Sequence, residues 1–109
     1  MAGEHSRKTK KEEQIREIAA RFIERESNKS ALITVTRVVL DEKARSGTVF
    51  VSVMPQSGEE SAINFLKRKR SELREVLKKE LSIHPIPFLD ISIDSGEKSR
   101  QTIEALLKE

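Results

Sequence analysis

Two runs of β-branched residues separated by a short polar stretch restrict this chain more than any other feature of its sequence. Leu32 to Leu40 contains Ile33, Thr34, Val35, Thr36, Val38 and Val39, and Thr48 to Met54 contains Val49, Val51 and Val53. Branching at Cβ favours a pleated strand. The stretch between them, Asp41 to Gly47, is polar and short, so the two strands form an antiparallel hairpin. Pro55 ends the second strand, and Ser57-Gly58-Glu59-Glu60 predicts a capping box at the start of a helix. A third strand follows the proline-rich segment His84-Pro85-Ile86-Pro87, with Leu89, Ile91 and Ile93 alternating with Asp90, Ser92 and Asp94. Strand, helical crossover and strand normally form a right-handed parallel unit. The third strand therefore lies beside the second, which becomes central, with Val49, Val51 and Val53 facing one way and Phe50 and Met54 the other.

The crossover cannot be one straight helix. Ala62, Phe65 and Leu66 begin an apolar stripe, and Leu73, Val76, Leu77 and Leu81 carry a similar one further on. At about 100° per residue, Leu66, Leu73 and Leu77 lie within about 20° of one line. On that same helix Lys69 would sit about 60° to one side of the line and Arg70 about 40° to the other. Both charges would crowd the core face, where an unpaired charge costs at least several kcal/mol, more than an unsatisfied neutral polar group. A break near Lys69, Arg70 and Ser71 avoids this, with Ser71 as the expected N-cap of the second piece.

On the flanks, Ile15, Ile18, Ala19, Phe22 and Ile23 form one stripe of an amphipathic helix ended by Ser27-Asn28-Lys29-Ser30. Ile103, Leu106 and Leu107 mark a short C-terminal helix after Ser95-Gly96. Residues 1–11 are charged and aperiodic, which predicts a flexible basic arm ahead of a single domain over 12–109. The chain has 109 residues, enough for one modest core, and charged residues make up 36% of it. Net charge is +3 but unevenly spread. Arg7, Lys8, Lys10 and Lys11 stand against Glu4 alone, and Lys67, Arg68, Lys69, Arg70, Arg74, Lys78 and Lys79 stand against Glu72, Glu75 and Glu80. The remainder is acidic. This is a polyanion footprint, with a solvated helix face as the plain alternative.

The chemistry-bearing residues are sparse. There are no cysteines, which excludes a disulfide scaffold and thiolate chemistry. The histidines are His5, in the expected arm, and His84, beside Pro85; neither has the neighbours of a ligand or a base. Asp90 and Asp94 share a strand face without a third ligand, which reads as a solvated face. Gly58 and Gly96 are isolated, so no phosphate-cradling loop is present. The expectations are no enzyme activity, no metal and no cofactor. No apolar run reaches the roughly 20 residues of a membrane span, and no secretory signal opens the chain, so a cytoplasmic, monomeric protein is expected. For RNA the residues fit better. Lys67, Arg74 and Lys78 share one side of a helix, offset by about 100° from the apolar stripe, where they can track phosphates. A break would turn Lys69 and Arg70 outward at a helix N-terminus, with Lys79 and, on the first strand, Arg37 as further contacts. The four Phe lie in apolar patterns and read as core, which favours recognition of backbone and shape over base stacking.

Three stretches together resemble a known family. They are Ile33-Thr34-Val35-Thr36-Arg37-Val38 with Val49-Phe50-Val51-Ser52-Val53; Leu73-Arg74 continuing to Leu81; and Pro87-x-Leu89-x-Ile91-x-x-Asp94-Ser95 ahead of Ile103-Glu104-x-Leu106-Leu107. In order and spacing, from about Ile15 to Leu107, they resemble ribosome-binding factor A, a bacterial family. The resemblance implies an α+β fold of type II KH-like order: α-β-β-α-kink-α-β-α, with a three-stranded mixed sheet covered by helices on one face. It also implies a non-catalytic factor that binds the immature small ribosomal subunit (30S) and its 16S rRNA, assists late maturation, supports growth in the cold and meets other assembly factors. The family lacks the GxxG loop of ordinary KH domains and has a kink that usually reads Ala-x-Gly. Lys69-Arg70-Ser71 stands there in this chain, and Gly47 stands where Ala is common, as in a divergent member. A protein-interaction adaptor that docks an acidic partner, and a KH-like module acting on other RNAs, remain the alternatives.

Overall fold

The computed structural model describes residues 2–95, and the expected C-terminal helix around Ile103 lies outside them. In chain order the elements are α1 (Ala2–Glu26), β1 (Leu32–Leu40), β2 (Ser46–Met54), a 3-10 turn (Gln56–Gly58), α2 (Glu59–Arg68), α3 (Arg70–Glu80) and β3 (Phe88–Ile93). β1 and β2 pair antiparallel, β2 and β3 pair parallel, and β2 is central. This is an α+β domain with KH-like order and a mixed three-stranded sheet.

Helices cover one sheet face. Val49 and Val51 of β2 are fully buried there with Val53, beside Val35 and Val38 of β1 and Ile91 of β3. α1 contributes Ile15, Ile18, Ala19, Phe22 and Ile23 to the same core, α2 contributes Ala62 and Leu66, and α3 contributes Leu73 and Leu77. The opposite face carries Phe50, Arg37 and the exposed side chains of Leu32, Val39 and Met54.

A single bulge makes β1 fit this arrangement. Val35 pairs with Val51, but the next pairs are Arg37 with Phe50 and Val38 with Val49, which leaves Thr36 out of register. Strict alternation from Val35 would send Arg37 and Val39 into the core. The extra residue reverses the parity, so Val38 and Leu40 are buried and Arg37 and Val39 face out. Thr36 is held in place by its hydroxyl, which donates to Asp94 Oδ2 at 2.6 Å and lies 3.2 Å from Phe50 O. Asp94 is 8% exposed and lies just past β3. The expected solvated Asp90–Asp94 face is therefore corrected: Asp94 closes the bulge, and Asp90 alone remains in the open.

Two further expectations change. The helix α1 does not begin after an arm at residue 11; it runs from Ala2, and Lys11 is 1% exposed. Lys11 precedes Ile15 by one turn, so its methylene stem continues the buried stripe that its charge conceals in the sequence. Its ammonium donates to Ala44 O at 2.9 Å and to Pro85 O, joining α1 to the hairpin turn and the proline segment. Burial pushes its pKa down from 10.5, against the attraction of Asp41. At α2 the capping box is absent. The 3-10 turn runs straight into the helix, Gly58 is the N-cap with φ −90° and ψ 0°, and no side chain caps it. In the hairpin, Gly47 leaves no room for any side chain, since a Cβ there would meet Val39 O at 2.4 Å. The turn is organised by Asp41, whose Oδ1 accepts from Arg45 N at 2.9 Å.

Removing the Lys11 donor orphans two carbonyls, so Lys11→Met lowers the unfolding free energy by about 1–3 kcal/mol in urea denaturation near neutral pH. The exposed neighbour Lys10→Met changes it by less than about 0.5 kcal/mol. Because burial lowers the Lys11 pKa, the unfolded chain holds this proton more tightly than the folded one. Stability contributed by Lys11 therefore rises as pH climbs through its folded pKa towards 10.5, and the deficit of Lys11→Met widens over that range. A deficit that narrows instead contradicts the assignment.

Candidate nucleic-acid interface

The break falls at Lys69. Its backbone has φ −94° and ψ 2°, outside the helical range, and it ends α2 while starting α3. Its amide donates to Leu66 O at 3.0 Å and Phe65 O at 3.2 Å, and its carbonyl accepts from Leu73 N at 3.0 Å. The chain thus turns without losing its ladder at either end. Lys69 itself is the N-cap, and Ser71 lies inside α3 and caps nothing. Leu66 and Leu73 are both buried, so the turn brings the two apolar stripes onto one core.

The seven cations of this region fall into two groups. Four are already engaged within the molecule. Lys69 is half-buried over Phe65, with its ammonium 3.2 Å from Glu72 and 3.5 Å from Glu26 at the end of α1. The hydrogen bond to Glu72 raises its pKa above the usual lysine value, outweighing partial burial. Arg70 pairs with Asp90 of β3 at 3.0 Å, and Lys78 pairs with Glu75 at 3.0 Å. Arg74 donates to Pro87 O at 2.8 Å and Ile86 O at 3.3 Å and stacks on Phe88 at 3.8 Å from the ring centre. By contrast Lys67, Arg68 and Lys79 are exposed, and their charged groups have no ion-pair or hydrogen-bond partner among the described residues. Lys67 and Arg68 close α2, and Lys79 lies in the last turn of α3. The break also places Lys67 on a different helix from Arg74 and Lys78, so the shared side of one helix is replaced by a surface folded around a corner.

Arg37 does not join them. It lies on β1, on the sheet face turned away from the helices, with its guanidinium 4.2 Å from the Phe50 ring centre and 3.5 Å from Asp94. The structure also corrects the place of two aromatic residues: Phe50 lies under Arg37 on the face turned away from the core. Phe88, expected in the core, is 68% exposed beside Arg74. The signal lies in the sequence: in β3 the buried side belongs to Leu89, Ile91 and Ile93, which puts Phe88 in register with Asp90 and Ser92 on the wet side. Among the described residues, no group of three His, Cys, Asp or Glu could hold a metal ion, and no helix is long and apolar enough to cross a membrane.

These features define a KH-like α+β domain whose helical crossover is broken at a basic corner. The chain belongs to the ribosome-binding factor A family, whose model matches residues 7–107. It is similar to the crystal structure of ribosome-binding factor A from Thermus thermophilus, with 25% identity and a TM-score of 0.69 over 77% of this chain and 92% of that one. A solution NMR structure of a Thermotoga maritima protein proposed to be a ribosome binding factor A shares the fold, at 22% identity and a TM-score of 0.60 over 73% of this chain and 79% of that one. No curated protein sequence matches the chain.

The pairing of Arg70 with Asp90 withholds one cation from the surface. Asp90→Asn frees it and removes a negative charge at the same place, so this variant elutes from heparin at higher salt than the parent protein. Glu42→Gln removes an exposed carboxylate in the hairpin turn that pairs with no cation among the described residues, and shifts elution less. Equal shifts would reduce the effect to net charge alone.

Proposed function

We propose that this chain is a non-catalytic ribosome-assembly factor. It binds the immature small ribosomal subunit and its 16S rRNA through the corner between α2 and α3, and assists late maturation of the particle. The family match over nearly the whole chain carries this reading. The free cations Lys67, Arg68 and Lys79 supply the means, since phosphate neutralisation by such side chains releases counterions and gives affinity without sequence readout. Arg70, Arg74 and Lys78 lie along α3 and are half-committed to internal acceptors, so they serve as a second rank of contacts. Lys69 acts as the support of the corner, through Glu26 and Glu72. Arg37, on the far face, is a separate rim contact. The factor works in the cytoplasm as a monomer and needs no cofactor.

Sedimentation of a tagged protein from lysate tests the assignment, with co-migration alongside free small subunits expected. A position at the top of the gradient at low salt favours an adaptor for an acidic protein. Lys67→Glu/Arg68→Glu/Lys79→Glu abolishes co-migration. With purified precursor particles it lowers the slope of log affinity against log salt by about one per lost phosphate contact. Unchanged association would place the interface elsewhere.

A further inference from the structure

We propose that Phe88, backed by Arg74, is a stacking site for a single unpaired nucleobase. The site adds base recognition to the backbone contacts of the basic corner and rests on the reading of that corner as an RNA surface. Phe88 opens β3, an edge strand, where large apolar side chains are usually avoided. Isolated exposed apolar residues are ordinary, so exposure alone means little. The surroundings are what distinguish this ring. One of its faces is covered by the Arg74 guanidinium at 3.8 Å, and that guanidinium is itself fixed by the carbonyls of Ile86 and Pro87. Pro87, immediately before it, is fully buried and anchors the backbone, and Phe88 N donates to Arg45 O at 2.9 Å. The ring is therefore a rigid platform with 68% of the residue exposed.

A cavity of about 290 Å³ adjoins it, floored by Leu73, Leu77 and Leu89 and rimmed by Arg70 and Ser71. That is slightly below the range of about 300–1,000 Å³ typical of small-molecule pockets, so it suits one flat ring and not a paired helix. An apolar floor, an aromatic wall and a rim of guanidinium groups match the two parts of a nucleotide, its π face and its phosphate. Stacking between bases and aromatic side chains tolerates every base, because each has a π face. Arg70 stands at the cavity rim with its Nε donating to Lys67 O at 3.2 Å, so a cation is at hand for the phosphate beside a splayed base, and the exposed Lys67 follows at the end of α2. An apolar peptide would gain nothing from these cations, which is why the charge favours RNA.

The test compares two oligoribonucleotides of equal length and charge: a hairpin with one unpaired 2-aminopurine bulge, and the fully paired hairpin. The parent protein binds the bulged form more tightly and quenches its fluorescence. Phe88→Ala lowers affinity for the bulged form by about 5- to 100-fold, brings it to the level of the paired form and leaves the salt slope unchanged. Phe88→Tyr retains both preference and quenching. Lys67→Glu/Arg68→Glu weakens both RNAs and flattens the salt slope while the preference for the bulge persists. If Phe88→Ala leaves the preference intact, or weakens both RNAs equally, the stacking site is overturned and the basic corner stands. Failure of the parent protein to bind either RNA overturns both.

Discussion

The parity switch at Thr36 is the constraint on which the sheet depends. A β-strand offers alternate residues to each face, so the two halves of β1, with apolar residues at Val35 and then at Val38 and Leu40, cannot both serve one core without an inserted residue. The bulge supplies it, and the cost of an unpaired position is offset because the Thr36 hydroxyl meets Asp94. That contact joins the edge strand β1 to the end of the opposite edge strand β3, across the central strand. With β1 in register, Val49 and Val51 are sealed between α1 and the crossover helices, and the crossover has a surface on which to break.

Most of the fold was legible because it is written in periodicity. The β-branched runs located the hairpin, the alternation in Leu89, Ile91 and Ile93 located β3, and the conflict of Lys69 and Arg70 with the stripe of Leu66, Leu73 and Leu77 located the break. What escaped was governed by atoms that periodicity does not see. Lys11 looked like part of a charged arm because the sequence shows its ammonium and hides its stem. The bulge was invisible because both parities of β1 carry apolar residues. Ser57 and Ser71 looked like caps, yet in each case the chain entered the helix through a tight turn that already supplied the backbone geometry.

The candidate interface was legible as a charge run but not as an arrangement. Sequence counts seven cations between Lys67 and Lys79 as equals. Folding divides them by what lies opposite: Glu26 from α1, Asp90 from β3 and carbonyls from the proline segment each claim one, and those acceptors are distant in the chain. The same blindness affected Phe88, whose side of the strand could be read from its neighbours but whose partner, Arg74, could not.

The division has a consequence for selectivity. A cation already matched by an internal carboxylate responds to an incoming anion only if that anion displaces the carboxylate. One small free anion gains little from such an exchange, because it trades one partner for another. A chain of covalently linked phosphates can first settle on the unclaimed Lys67, Arg68 and Lys79, and from there displace Asp90 from Arg70 at high local concentration. As the RNA surface proposed above, the corner would work as a threshold device, discounting small free anions and answering to a polymer long enough to complete the exchange.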